Sequence, residues 1–181
     1  MRKEIIFTGF GGQGIILMGV IIARMMEHFP EIEVTQAQSY GPASRGGACR
    51  TDVVISDQRI SYPKSSRPDI MIFMSEEARK KLLSEAIPER TLVVYDNTLV
   101  KEIPGKYKTF AVPATGAAEN DFKNRMVANI YMLGATIELI NPGSVEVLKQ
   151  IVRESVPKKF EDLNIKALEA GYAYYQANKP N

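Results

Sequence analysis

Gly9-Phe10-Gly11-Gly12-Gln13-Gly14 follows the short apolar run Glu4-Ile5-Ile6-Phe7-Thr8 and leads into a stretch, 13–28, that reads as a helix. A buried strand, a glycine turn and a helix in that order open many α/β sheets. Glycines at 9, 11 and 14 fit the G-x-G-x-x-G spacing. Such a turn brings the backbone close to its neighbour and aims the free N–H groups and positive end of the helix at whatever sits in front. A dinucleotide site also needs an acidic residue about 20 positions on, at the end of the second strand, to hold the ribose. Glu31 and Glu33 lie before or early in the candidate strand 32–37, whose end carries Gln36 and Gln38. The ribose clamp is missing. The same glycines also suit plain helix-on-sheet packing, with a partner protein in the place of a ligand.

A second glycine-rich loop, Ser39-Tyr40-Gly41-Pro42-Ala43-Ser44-Arg45-Gly46-Gly47, follows that strand. Arg45 offers a planar fork for a carboxylate or phosphate, with glycines around it to give it reach; the alternative is a local salt bridge that stiffens the loop. Tyr40 either stacks on a partner or covers the core.

Further along, 68–74 and 90–96 are continuous apolar runs, as in parallel strands buried on both faces. Ser75-Glu76-Glu77 caps a helix to about residue 83. The stretch 50–62 reads as strand, turn at Ser56-Asp57-Gln58 and short strand, a hairpin within the sheet. Another short strand over 109–112 ends at Pro113. After Thr115 the chain turns helical, with Met126, Ile130, Leu133 and Ile137 at helical spacing that reads as core rather than a cofactor box. Asn141-Pro142-Gly143 ends that helix, Ser144 caps the next through about 155, and 164–176 forms a last one. The fold expected is α/β: a three-layer, Rossmann-like or flavodoxin-like single domain over residues 1–181, with a mostly parallel sheet, a hairpin extension and helices on both faces.

Composition narrows the function. The formal charge of +2 comes from 23 basic and 21 acidic residues spread along the chain, which gives no case for nucleic acid. No run is long and apolar enough to cross a membrane and no signal peptide is evident, so the expected location is cytoplasmic. The single cysteine, Cys49, forms no internal disulfide and cannot hold an iron–sulfur cluster, which normally takes four thiolates. It reads as a small buried thiol. The single histidine, His28, reads as a cap at the negative end of the first helix, with no second histidine for a metal pair or a triad.

The paired loops, Gln38 through Pro42 with Arg45-Gly46-Gly47, and Val53-Val54-Ile55-Ser56-Asp57 resemble the gamma subunits of the 2-oxoacid:ferredoxin oxidoreductases. So do Pro113-Ala114-Thr115, Asn129 through Ala135, Asn164 and Ala170-Gly171. Tyr40-Gly41-Pro42-Ala43-Ser44-Arg45-Gly46 is more similar to the 2-oxoglutarate type than to the pyruvate type. Ala43 departs from an acid found in many relatives, which puts any docking role of that acid in doubt here.

The resemblance implies a subunit of a complex in which thiamine diphosphate with Mg²⁺ decarboxylates the oxoacid, iron–sulfur clusters carry electrons to ferredoxin and coenzyme A takes the acyl group. The sequence has no Gly-Asp-Gly thiamine motif, so these cofactors are expected in the alpha, beta and delta subunits and none in this chain. No catalytic or metal-binding residue is assigned. Gly9, Gly11, Gly12, Gln13, Gly14, Ser39, Tyr40, Gly41, Pro42, Arg45, Gly46 and Gly47 are the expected binding or subunit-interface residues. Two other classes stay open: a free-standing NAD(P)- or FAD-binding reductase, and a noncatalytic anion-binding scaffold domain.

Overall fold

The run Glu4 to Gly9 is buried without interruption, and the strand it forms, β1 (Arg2–Phe10), lies inside the sheet. The computed structural model describes residues 1–40, 48–140 and 144–180. Its other strands are β2 (Glu33–Tyr40), β3 (Ala48–Ser56), β4 (Ile70–Phe73), β5 (Leu92–Asp96) and β6 (Lys108–Val112), in the spatial order β2-β3-β1-β4-β5-β6. β3 pairs antiparallel with both β1 and β2, whereas β1, β4, β5 and β6 pair in parallel succession. One strand therefore opposes the direction of all the others, and the sheet is mixed as expected.

The antiparallel element differs from the hairpin read in the sequence. β3 pairs with the preceding β2, and no strand forms between Ser56 and Ile70. Carboxylates satisfy this segment in place of a ladder. Glu4, 3% exposed, accepts hydrogen bonds on one carboxylate oxygen from the Ser65 hydroxyl (2.9 Å) and the Ser66 and Arg67 backbone N–H groups (2.8 Å each). Arg2 Nε donates to the other oxygen at 2.8 Å, and Glu33 takes the Ile60 N–H at 2.7 Å. A charged acceptor in a central strand thus fastens a loop that turn residues alone do not order.

Helices cover both faces. Behind one lie α1 (Ile15–Met26), α3 (Ala114–Asn120), α4 (Ala128–Thr136), α5 (Val145–Ser155) and α6 (Glu161–Ala177), packed on Ile5, Phe7, Val53, Ile55, Ile72 and Val94. The opposite face carries α2 (Glu76–Leu82), with Val100 and Tyr107 over Ile6, Met71 and Phe73. The caps follow the sequence: the Ser75 hydroxyl accepts from Ala78 N–H (3.2 Å) and the Ser144 hydroxyl from Val147 N–H (3.4 Å). His28 lies past the end of α1, with Nδ1 3.3 Å from the Arg24 carbonyl. Cys49 is buried, and burial pushes its thiol pKa up. Among the described residues no helix is long and apolar enough to span a membrane.

The helical stretch expected after Thr115 is interrupted, because α3 ends at Asn120. Lys123 adopts φ 52°, Asn124 Oδ1 takes the Met126 N–H at 3.0 Å, and α4 starts only at Ala128. Ile130, Leu133 and Ile137 are core, but Met126 is 78% exposed. The turn at Asn141-Pro142-Gly143 lies outside the described residues.

α4 and α6 cross at two glycines. A methyl group on Gly134 would strike the Leu168 carbonyl oxygen, and one on Gly171 the Tyr131 carbonyl oxygen. The obstacle is backbone, which does not yield as a side chain does. Gly134→Ala is expected to destabilise the fold by about 3 kcal/mol in urea unfolding; a change below about 1 kcal/mol would mean that the helices slide apart freely.

Glu4 predicts a pH dependence. Burial alone would raise its pKa, but the Arg67 and Ser66 N–H groups with the Arg2 and Ser65 side chains hold it below the usual carboxylate value. A depressed folded-state pKa makes the ionised form stabilising above the unfolded-state pKa, and that contribution fades as pH falls through the folded one. Glu4→Gln should therefore lower stability by roughly 2–4 kcal/mol at pH 7. The gap between variant and wild type should shrink below about pH 4, as acid and neutral melts would show.

Candidate functional site

β1→α1→β2 runs to one side of the sheet and β4→α2→β5 to the other, so the topological switch point lies at the carboxyl ends of β1 and β4. Crevices for ligands in open α/β sheets form there. Here Gln13 occupies it. Its Oε1 accepts the Phe10 backbone N–H at 2.6 Å, and its Nε2 donates to the Met74 carbonyl at 2.7 Å. One carboxamide thereby ties the end of β1 to the residue just after β4.

The glycines have separate reasons. Gly9 has no room for a side chain, because a methyl group there would lie 2.5 Å from Ile15 Cδ1 and 2.6 Å from Gln13 Oε1. Gly14 is the N-cap of α1 at φ 73°, and the Asn129 carboxamide stands where its side chain would be. Asn129, 4% exposed, lies 3.5 Å through Nδ2 from the Gly14 carbonyl. Gly12 is left-handed at φ 94°, whereas Gly11 faces open space with no contact to require it.

The two glycine loops leave the same edge side by side. Phe10 pairs with Ala48, Gly9 with Cys49, and Tyr40 with Cys49 across the other side of β3. Ser39, next to last in β2, pairs with Arg50. Gly41, Pro42, Arg45, Gly46, Gly47 and the Tyr40 side chain lie outside the described residues. Next to the first loop, a cleft of ≈ 140 Å³ is lined by Gly12, Gln13, Met74, Thr115 and Met126. A second, of ≈ 200 Å³, lies between the start of α1 and the residues that precede α4 and α6.

Among the described residues, the buried carboxylate at this edge is fully engaged by neighbours. Asp96, at the carboxyl end of β5, is fully buried and accepts from the Thr115 hydroxyl (2.5 Å), the Thr115 N–H (3.0 Å) and the Thr98 N–H (3.1 Å). Among the described residues no three His, Cys, Asp or Glu side chains are grouped to hold a metal. The arrangement suits a surface that others bind. The sequence reading missed Met126, Phe10 and Phe160, all exposed at this edge; the Lys123-Asn124 break was the signal that a helix does not yet run at Met126.

Fold and site define a mixed α/β sheet whose glycine turn is closed by its own side chain. Comparison with known proteins makes that specific. The chain belongs to the pyruvate ferredoxin/flavodoxin oxidoreductase family, whose model matches residues 4–174. It is similar to the 2-oxoglutarate synthase subunit KorC of Methanocaldococcus jannaschii, 43% identical over 175 residues, 95% of this chain and 93% of that one. KorC of Methanothermobacter marburgensis is 39% identical over 94% of this chain and 95% of its own length. The crystal structure of a keto/oxoacid ferredoxin oxidoreductase gamma subunit from Geobacter sulfurreducens superposes with a TM-score of 0.86 at 36% identity, over 98% of each chain. The same fold accounts for 32% of a chain in the 2-oxoglutarate:ferredoxin oxidoreductase of Magnetococcus marinus, a structure with 2-oxoglutarate, coenzyme A and succinyl-CoA bound; there the TM-score is 0.87 at 24% identity over 99% of this chain. The resemblance to gamma subunits, the 2-oxoglutarate type in particular, is borne out.

Gly14→Ala tests the plug. The left-handed conformation alone should cost about 1–2 kcal/mol, and displacing Asn129 should add to it. Combining Gly14→Ala with Asn129→Ala should recover the second part and leave the first, a coupling that a double-mutant cycle in urea measures. Additive effects would show that Asn129 does not back the turn.

Proposed function

We propose that the chain is the gamma subunit of a 2-oxoglutarate:ferredoxin oxidoreductase, which converts 2-oxoglutarate and coenzyme A to succinyl-CoA and carbon dioxide while reducing ferredoxin. The observation that carries this reading is the 43% identity to a KorC subunit over nearly the full length of both chains. Residues 1–181 act as one domain in this reading, in the cytoplasm, beside alpha, beta and delta subunits.

The reactive cofactors sit in those partners. With one cysteine, this chain cannot supply the four thiolates of a cluster, and its sequence has no thiamine diphosphate motif. Its contribution is to position and enclose. The glycine turn presents backbone and the start of α1 at this edge, and Gln13 lies across it, bonded to Phe10 and Met74. Arg45, which lies outside the described residues, is read as a contact to the catalytic subunits near the path of oxoacid or coenzyme A.

A tag on this chain should bring down thiamine-binding and cluster-binding chains in stoichiometric amounts, while the isolated chain should show no iron–sulfur or flavin absorption after anaerobic purification. A chromophore on the isolated chain, or purification without partners, would overturn the subunit reading. Calorimetric titration with NAD, NADP or FAD should give no saturable heat; micromolar binding would favour a free-standing reductase.

Arg45→Ala should leave the fold intact and weaken assembly, or raise the Michaelis constant for one substrate. A lost interfacial charge pair corresponds to roughly 2–5 kcal/mol. A lower melting temperature with unchanged assembly and kinetics would instead show that Arg45 braces its own loop.

A further inference from the structure

The chain carries sulfur in eight methionines and one cysteine, and the fold shields these atoms very unevenly. Met18, Met25, Met26, Met71, Met74 and Met132 are at most 1% exposed, and Cys49 is 6% exposed. Met126 stands 78% exposed, followed by Met1 at 46%. A thioether reacts with a peroxide without first losing a proton, so access to the sulfur decides which methionine is oxidised. A thiol reacts as its thiolate, and burial, which pushes the Cys49 pKa up, keeps that thiol protonated.

The backbone fixes this exposure. Lys123 at φ 52° is the one described non-glycine residue with a positive φ. The Asn124 N–H donates to the Ala118 carbonyl at 3.0 Å, its Oδ1 takes the Met126 N–H, and the Val127 N–H donates to the Asn124 carbonyl at 3.3 Å. Val127 is buried and roots the turn in the core, and α4 starts only at Ala128. Met74 is the comparison within the same molecule, because it lines the ≈ 140 Å³ cleft together with Met126 and yet is 1% exposed. A place at this edge does not by itself open a sulfur to solvent; the turn at 123–127 does.

The position matters for the edge described above. Met126, Gly12 and Gln13 are the residues common to the walls of both clefts, and the larger one adds Leu17, Val127 and Ile130 to its apolar lining. A sulfoxide there replaces a flexible apolar tip with a polar one that accepts hydrogen bonds. Because the side chain already stands in water, the change leaves the core untouched and falls on the cleft walls alone. Met1 lies at the amino end of β1, away from the glycine edge at the other end of that strand, so its oxidation leaves the clefts as they are.

We propose that Met126 is the oxidant-sensitive site of this chain, converted by peroxides to methionine sulfoxide ahead of every other sulfur. The thioether lone pair attacks one peroxide oxygen, an S–O bond forms as the O–O bond breaks, and the departing hydroxide takes up a proton and leaves as water. Sulfur loses two electrons and the peroxide gains them. A dithiol enzyme of the methionine sulfoxide reductase class reverses the step, taking the oxygen away as water while its own thiols close to a disulfide. The inference does not depend on the gamma-subunit reading.

The test is limited treatment of the full chain with hydrogen peroxide, followed over time by peptide mass spectrometry. Met126 should gain one oxygen before Met1, and at least about tenfold faster than any of the six buried methionines, which react only as the fold opens. Methionine sulfoxide reductases with a dithiol should remove that oxygen, and the singly oxidised chain should keep the melting temperature of the untreated one. Met126→Leu should delete the fast step and leave the slow ones unchanged. Oxidation of Met126 no faster than that of Met74, or slower than that of Met1, overturns the proposal. So does a first oxygen that the dithiol alone removes, which would belong to Cys49. A fall in melting temperature on single oxidation at Met126 would reveal a packed thioether and equally overturn it.

Discussion

The Gln13 carboxamide adds a side-chain tie at the end of the β1–β4 ladder, where the connections of the sheet diverge. Without the bonds to Phe10 N–H and the Met74 carbonyl, the end of β1 and the residue after β4 would expose polar groups in a crevice at the switch point. α1 starts directly on Gly14, which Asn129 backs from α4. α4 in turn is fixed by the interlocked glycines it shares with α6. The glycine turn, the Asn129 segment and the Ala170-Gly171 pair thus form one chain of close contacts from the sheet to the last helix.

This chain of contacts explains why motifs scattered over the sequence point to one family. Among the described residues, Gly14 with Asn129 and Gly134 with Gly171 mark places where backbone meets a buried carboxamide or other backbone, and small residues are required. Thr115 belongs with them through Asp96, as does Asn164, which donates to the Phe160 carbonyl at 2.9 Å. A nucleotide fingerprint read from glycine spacing alone describes the same turn, but the spacing does not say whether a ligand or the protein's own side chain fills the space in front of it.

Much of the architecture was legible in the sequence because burial writes itself into composition. The apolar runs at β1, β4 and β5 and the serine caps of α2 and α5 appear where read. What was not legible depends on contacts distant in sequence. The segment after Ser56 carries hairpin signals, yet the Glu4 carboxylate, 61 residues before Ser65, decides that it stays irregular. Met126 has the spacing of a core residue, but Lys123 and Asn124 break the helix and turn it outward. At the candidate site the first loop was legible down to Gln13; its partner Asn129 was visible only as part of a family pattern, with no role attached.

In the proposed reading the chain acts by completing a larger enzyme. The most direct measurement of that claim is an omission assay: ferredoxin reduction driven by 2-oxoglutarate and coenzyme A, with the remaining subunits alone and with this chain added back. The account predicts little activity without the chain, recovery that saturates at one equivalent per catalytic unit, and none from the chain alone. Full activity in its absence, or oxoacid oxidation by the isolated chain, would contradict it.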